Sequence, residues 1–389
     1  MSVLAVQNNS QKDKEMNVGG QAVIEGVMMR SPKSYAVAVR KPDKTVILRE
    51  QPWEPVWEKL KFMRKPFLRG TVTLVEAMWN GISALTFSAN HAIDEEELEK
   101  EGTKKAKKEI EKIEDAKRKE SEGKPVFTPL ALTGTIIVSF LFSMLLFVVL
   151  PHLITFGVGQ LIGHELTVDS FLFHLIDGII KVAFLVAYVW LISMFKDIRR
   201  VFQYHGAEHK SIFAYEAGLD LTVENVRPFT TYHPRCGTSF LVIVLGSSII
   251  LFSMIFPFMP ALEGMNKIAR NLVYIAIKIP LMLPVAGISY ELIKYSAKHA
   301  KNPFWKLLTL PGLWLQRITT KEPDDSQIEM AILSLKKCLW REENPQASCG
   351  LTISEYPDFA AAVADIDTPE TATDKQESPA LGGAAIAAS

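Results

Sequence analysis

Between Lys124 and Glu165 the chain runs for 40 residues without a single Asp, Glu, Lys or Arg, whereas Asp94 to Lys124 carries 22 charged residues in 31. A soluble protein seldom segregates charge on this scale, and a chain that crosses hydrocarbon must. Crossing a bilayer takes about 20 apolar residues of helix. Four stretches reach that length: about 130–150 (with a continuation past Pro151), 171–195, 238–262 and 271–293. Backbone groups in lipid must satisfy one another, so these stretches predict helices rather than strands. The expected fold is an α-helical integral membrane protein with about four transmembrane helices and a small cytoplasmic α/β N-terminal unit.

The basic residues predict orientation. The segment 151–170 has no Lys or Arg, 196–235 has six, and Lys294, Lys298, Lys301 and Lys306 follow the fourth stretch. Only Lys267 and Arg270, on the hairpin before that stretch, run against the pattern. Both termini and the loop between the second and third crossings are therefore expected in the cytoplasm.

The remaining chain divides by composition. The expected order is a disordered N-terminus (1–16), a cytoplasmic α/β unit with an interfacial helix (17–93), and a charged linker or helix (94–124). A four-helix membrane domain (125–300) follows, carrying a metal-site loop at 196–237, then a cytoplasmic helical segment (301–340) and a disordered tail (341–389). Within 17–93, Tyr35–Arg40 and Thr45–Glu50 alternate in polarity around Lys41-Pro42-Asp43-Lys44 and predict a hairpin. Val72, Val75, Met78, Trp79, Ile82, Leu85 and Ala89 recur at helical spacing, and Ile328, Ala331, Ile332 and Leu335 share a face of a later helix. Lys plus Arg equals Asp plus Glu at 43 each, so no nucleic-acid partner is expected. Three cysteines without a Cys-x-x-Cys exclude a disulfide scaffold and a four-thiolate ribbon.

Chemistry concentrates after the second crossing, in Tyr204-His205-Gly206-Ala207-Glu208-His209-Lys210. Histidines four apart share a helix face and can hold one metal ion. His205-x-x-Glu208-His209 also has the inverted zincin spacing, with Glu208 in the place of the base. Gly206 inside that helix costs about 1 kcal/mol and argues against it. His233-Pro234-Arg235-Cys236 precedes the third crossing at the same membrane face. Three ligands from His205, His209 and either His233 or Cys236 would leave a catalytic position open, whereas all four would close a structural sphere. Glu291, and less directly Glu216, are the acids placed to complete the set. Glu25 and Arg30, in the glycine-rich run Gly19–Arg30, either face a site or cap structure. Asp177, Lys181 and Lys278 lie inside the crossings and are expected to pair, with Pro280 and Pro284 breaking the fourth helix.

Together the stretches GGQAVIEGVMMR (19–30), FLRG (67–70), YHGAEHK (204–210), HPRCGTSF (233–240) and PGLWLQRITTKEPDDSQIEMA (311–331) resemble the YqhQ-like family of bacterial membrane proteins. The resemblance spans roughly residues 17–336. It implies a multi-pass inner-membrane protein with a metal site and a metal-dependent activity, and it implies no substrate.

The sequence thus predicts a metal-dependent membrane hydrolase at the cytoplasmic face of the lipid bilayer. His205 and His209 would hold zinc, or another divalent metal, with His233, Cys236 or Glu291 completing the set and Glu208 as general base. Its substrate would be a lipid, a membrane-linked metabolite or a peptide. The competing expectation is a non-enzymatic, metal-stabilised membrane scaffold, or a small transporter using Asp177, Lys181 and Lys278.

Overall fold

A computed structural model of the chain describes residues 18–54, 65, 68–93, 104–121, 129–163, 170–259, 265–299, 302–344, 347 and 350–367. The expected disordered N-terminus (1–16) and the end of the expected tail (368–389) lie outside the described residues. Four strands open the fold: β1 (Gly19–Val23), β2 (Gly26–Arg30), β3 (Ser34–Arg40) and β4 (Val46–Pro52). Helices α1 (Leu68–Ala92), α2 (Lys104–Ser121) and α3 (Pro129–Met144) follow. A π-helical turn at Leu145–Val149 joins α3 to α4 (Leu150–Leu161) and takes up Pro151, at the start of α4, without breaking the rod. Then come α5 (Phe171–Ile192), α6 (Lys196–Glu216), α7 (Val223–Val226), α8 (Gly237–Ile255), α9 (Lys267–Lys298), α10 (Pro303–Thr319), α11 (Asp325–Glu343), β5 (Thr352–Tyr356) and α12 (Phe359–Asp367).

The strands form one antiparallel meander, β1-β2-β3-β4-β5. The expected hairpin is β3–β4, with Lys44 at φ 72° in its turn. Both faces of the sheet are covered. Tyr35, Val37 and Val39 of β3 pack toward Ala84 and Phe87 of α1. Ala36 and Ala38 point the other way, into a larger core with Tyr204 and Ala207 of α6 and with Ile328, Ala331, Ile332 and Leu335 of α11. The period-2 alternation thus sorts one strand's residues between two cores.

Two expectations about organisation are corrected here. Residues 17–93 are not a self-contained unit, because α6, α11 and β5 come from far along the chain to complete it. Nor is 341–389 wholly a disordered tail. Thr352–Tyr356 pairs with Val46–Glu50 of β4, and Ala362 and Ile366 of α12 are buried in the larger core. A backbone edge such as β4 is stabilised by any strand able to pair with it, and TISEY supplies one.

Among the described residues, four helices are long and apolar enough to cross a membrane: Thr133–Leu161, Phe171–Ile192, Gly237–Phe258 and Leu272–Ser296. Their polarity is inverted relative to a water-soluble bundle. Phe140, Leu141, Ile179, Trp190, Ile250 and Leu283 are exposed, while His152, His174, Asp177, Lys181 and Lys278 are buried. Lys181 donates to Asp177 Oδ2 at 2.6 Å, the expected one-turn pair, and Lys278 Nζ lies 3.8 Å from the same oxygen. Pro280 and Pro284 do not break the fourth helix, since α9 runs through both. Glycine permits close packing of these helices: a Cβ on Gly178 would lie 2.2 Å from Ile249.

Candidate metal centre

The segment expected as a metal-site loop is mostly helix. α6 continues from just beyond the second apolar helix and is embedded in the α/β layer, with Tyr204 to Ile212 largely buried. His205 and His209 lie one turn apart on it, ring centroids 4.5 Å from each other. The doubtful Gly206 has a clear reason. A Cβ there would sit 2.1 Å from the main-chain oxygen of Lys321, whose N–H donates to Phe202 O at 2.9 Å. Only glycine lets the chain after α10 lie directly on α6, and this contact outweighs its helix propensity.

That close approach orients the site. His205 Nδ1 lies 2.9 Å from Thr319 O, and His209 Nδ1 lies 2.5 Å from Thr231 O. A carbonyl only accepts, so both Nδ1 atoms carry the proton and both Nε2 atoms present lone pairs. Cys236 faces them: its Sγ lies 3.2 Å from His205 Nε2, and it also hydrogen-bonds His209. The ligand atoms of His205, His209 and Cys236 all lie within 4.8 Å of one another. Cys236 is moreover the N-cap of α8, its sulfur accepting from Thr238 N at 3.5 Å. Backbone donors at a helix N-terminus favour a negative ligand.

This donor set fits a divalent metal, zinc in particular. Zinc takes imidazole nitrogen at about 2.0–2.1 Å and thiolate sulfur at about 2.3 Å, which in a tetrahedron separates ligands by about 3.5 Å. The backbone carbonyls behind both imidazoles are the outer partners that metal-bound histidines ordinarily have. Burial holds the His209 imidazole below its ordinary pKa, so it is neutral and able to coordinate at pH 7.

Two expected ligands are not part of this group. His233 is buried next to His209, ring centroids 5.5 Å apart, but its Nδ1 accepts from Arg235 N at 3.3 Å and its Nε2 lies 3.8 Å from Glu216. Gln316 fixes its backbone, accepting from His233 N and donating to His233 O, each at 2.8 Å. His233 is therefore a wall beside the centre. Glu291 is displaced further, because Arg69 of the FLRG stretch clamps its two oxygens at 2.6 and 2.5 Å. A guanidinium matches a carboxylate in two bonds at once, and this pairing leaves Glu291 no role as a ligand. Glu216 is ion-paired with Arg235.

Glu208 sits beside the group and is buried, next to the imidazoles of His205 and His233. Its carboxyl accepts the N–H of Gly20, and burial raises its pKa above the usual carboxylate value. Gly20 is required for this approach, since a Cβ there would lie 2.8 Å from Glu208 Cγ. The β1–β2 turn is held in place by Glu25, at φ 52°, which ion-pairs Arg200 and accepts from Tyr204 Oη at 3.2 Å. Glu25 thus anchors the hairpin on α6, while Arg30 stacks over Trp53 at 4.7 Å. Thr231, Thr319, Gln316 and Gly20 are the contributors that reading the motif alone misses. Their only signal in the sequence is that they lie inside, or within a few residues of, the five stretches quoted above.

Four of those five stretches, all but residues 19–30, lie inside the match to a known family. The family described as "Protein of unknown function (DUF1385)" matches residues 65–341. The "Uncharacterized protein YqhQ" of Bacillus subtilis (strain 168) is 36% identical over 332 residues, covering 82% of this chain and 92% of that protein. No solved structure matches the chain.

Proposed function

The chain belongs to the family described as Protein of unknown function (DUF1385), and we propose that it is a multi-pass protein of the bacterial inner membrane carrying a zinc-dependent hydrolase centre at its cytoplasmic face. The single observation that carries the metal is the convergence of His205 Nε2, His209 and Cys236 Sγ, with both Nδ1 atoms tied to main-chain carbonyls. The bilayer reading is supported by the inverted polarity of the four apolar helices, and the orientation by the Lys and Arg residues of the 196–235 segment.

When bound, zinc would supply Lewis acidity toward a carbonyl or phosphoryl oxygen. The chain's own residues do the rest. His205, the one half-exposed member, faces the approach, while His209 and Cys236 are enclosed. Glu208 is the proton carrier: burial raises its proton affinity above that of an ordinary carboxylate, and the Gly20 N–H fixes which way it points. The centre lies at the N-cap of an apolar helix, so the substrate is a lipid, a membrane-linked metabolite or a peptide at the bilayer surface.

A second reading is favoured by the burial of His209 and Cys236, at 1% and 8% exposure: a metal that only ties α6 to α8, as a scaffold would use it. Metal content and turnover separate the two. Wild type purified in detergent should carry one zinc per chain, and His205→Ala and His209→Ala should each lose it. Glu208→Gln should keep the zinc and lose turnover of lipid-linked ester or phosphoester substrates. A scaffold would keep both its metal and its cellular role in Glu208→Gln, and wild type without metal would end both readings.

A further inference from the structure

Helix α1 is apolar on both sides. Its buried face sets Ala84 and Phe87 against the sheet and also carries Glu76, Asn80, Ser88 and His91, and Glu76 is its only charge between Gly70 and Ala89. Its outer face is a stripe of Val75, Met78, Trp79 and Leu85, exposed by 60, 60, 61 and 38%. In water the opposite arrangement is favoured: four large apolar side chains at i, i+3, i+4 spacing would be buried and the carboxylate solvated.

The first turns of α1 lie against the fourth apolar helix. A Cβ on Gly70 would sit 2.7 Å from Tyr290 Cβ, and Thr71 Oγ1 donates to Leu283 O at 3.2 Å. Tyr290 is six residues inside the Ser296 end of the Leu272–Ser296 span and Leu283 thirteen, about 9 and 20 Å along the axis. The start of α1 therefore lies deeper than that end of the span, and its second half rises to the sheet, where Asn80 O accepts from Tyr35 Oη at 3.1 Å. The adjoining span likewise exposes apolar side chains, Ile279, Met282 and Leu283.

We propose that α1 is inserted in the cytoplasmic leaflet, its Val75-Met78-Trp79-Leu85 stripe in contact with lipid acyl chains. The inference rests on the bilayer reading above and deepens it. Leaflet insertion leaves Glu76 and Asn80 turned away from lipid, and a Trp in the stripe suits the interface. On its buried side Gly81 packs on Gln21 of β1, where a Cβ would lie 2.4 Å from Oε1.

Photo-crosslinking of the full chain in phosphatidylcholine vesicles tests this directly. p-Benzoylphenylalanine is placed at Met78 and, in separate variants, at Leu85, at Leu141 of α3 and at Leu219 beyond α6. The expected result is a phospholipid adduct, seen by intact mass, at Met78, Leu85 and Leu141 and none at Leu219. A chain–chain adduct at Met78 would mean that a second copy covers the stripe, and no adduct there would mean water. Either overturns the inference. Loss of the lipid adduct at Leu141 as well would overturn the bilayer reading together with it, whereas Leu141 positive with Met78 negative removes α1 alone from the membrane. Should a variant at Met78 fail to fold, the same probe at Val75 carries the test with the same outcomes.

Discussion

His205 and Thr319, 114 residues apart in the chain, are joined by a 2.9 Å hydrogen bond from the imidazole Nδ1 to the main-chain carbonyl. The bond fixes the tautomer of His205, and the Gly206–Lys321 contact one residue along is what lets the two segments meet.

Gly206→Ala is accordingly predicted to destabilise the protein although alanine is the better helix former. The propensity gain is about 1 kcal/mol, but the new methyl collides with backbone, and overpacking of this kind costs about 1–3 kcal/mol. A lowered thermal midpoint together with weaker zinc retention is the expected outcome. An unchanged midpoint would show that the Lys321 segment moves freely.

The ligand assignment makes a selective prediction about metal content by atomic absorption. His205→Ala, His209→Ala and Cys236→Ala should each lower zinc per chain at least tenfold, and Glu291→Gln should not lower it. His209 is held neutral by burial, its folded pKa below the unfolded value of about 6.5. Its contribution to stability is full above that pH and is lost as pH falls, so zinc release is expected on acidification and not on alkalinisation.

The ionic group among the apolar helices holds one carboxylate against two ammonium groups. Asp177→Asn would leave both lysines uncompensated and is predicted to cost about 3–5 kcal/mol, the usual loss when one member of a buried pair is removed. Adding Lys278→Met should recover part of that loss, read as a partial return of the midpoint in detergent. A merely additive double variant would show that the groups are not coupled.

Cys338 serves as a reporter of the α/β core. Burial pushes its thiol up to about 12, and its Sγ donates to Met29 O at 3.1 Å. With the folded pKa raised, its contribution to stability is complete below about 9 and is lost as pH rises through about 12. Maleimide at pH 8 should leave Cys338 unmodified in the folded chain and label it after denaturation, as peptide mass mapping would show.

Ending the chain after residue 349 removes β5 and α12. The exposed β4 edge and the uncovered Leu335–Cys338 region should lower the midpoint by several degrees and promote aggregation in size-exclusion runs. A truncated chain that behaves like wild type would mean that the fifth strand adds no stability.

How much of this was legible in the sequence depended on whether the signal was local. The four apolar helices are written in a charge-free run, and the His205–His209 face follows from helical spacing alone. Glu291 failed as a ligand because its partner, Arg69, is 222 residues away and no spacing rule connects them. The β1–β2 hairpin gave no alternation in GGQAVIEGVMMR, because helices cover both faces of the sheet and each side of a strand is then free to be apolar. β5 was hidden by its setting, a five-residue strand between two helices. The Nδ1 acceptors Thr319 and Thr231 are main-chain atoms, about which side-chain identity says nothing.

The dependence on Thr319 also sets an order of events during synthesis. This carbonyl is translated after the last apolar helix, and so is Lys321, the strand of chain that seats against Gly206. A nascent polypeptide whose four apolar helices have all left the ribosome still lacks the acceptor that aligns His205. Alignment of His205 is therefore confined to the last stage of biogenesis, whereas His209 meets its acceptor, Thr231, before the third apolar helix is made.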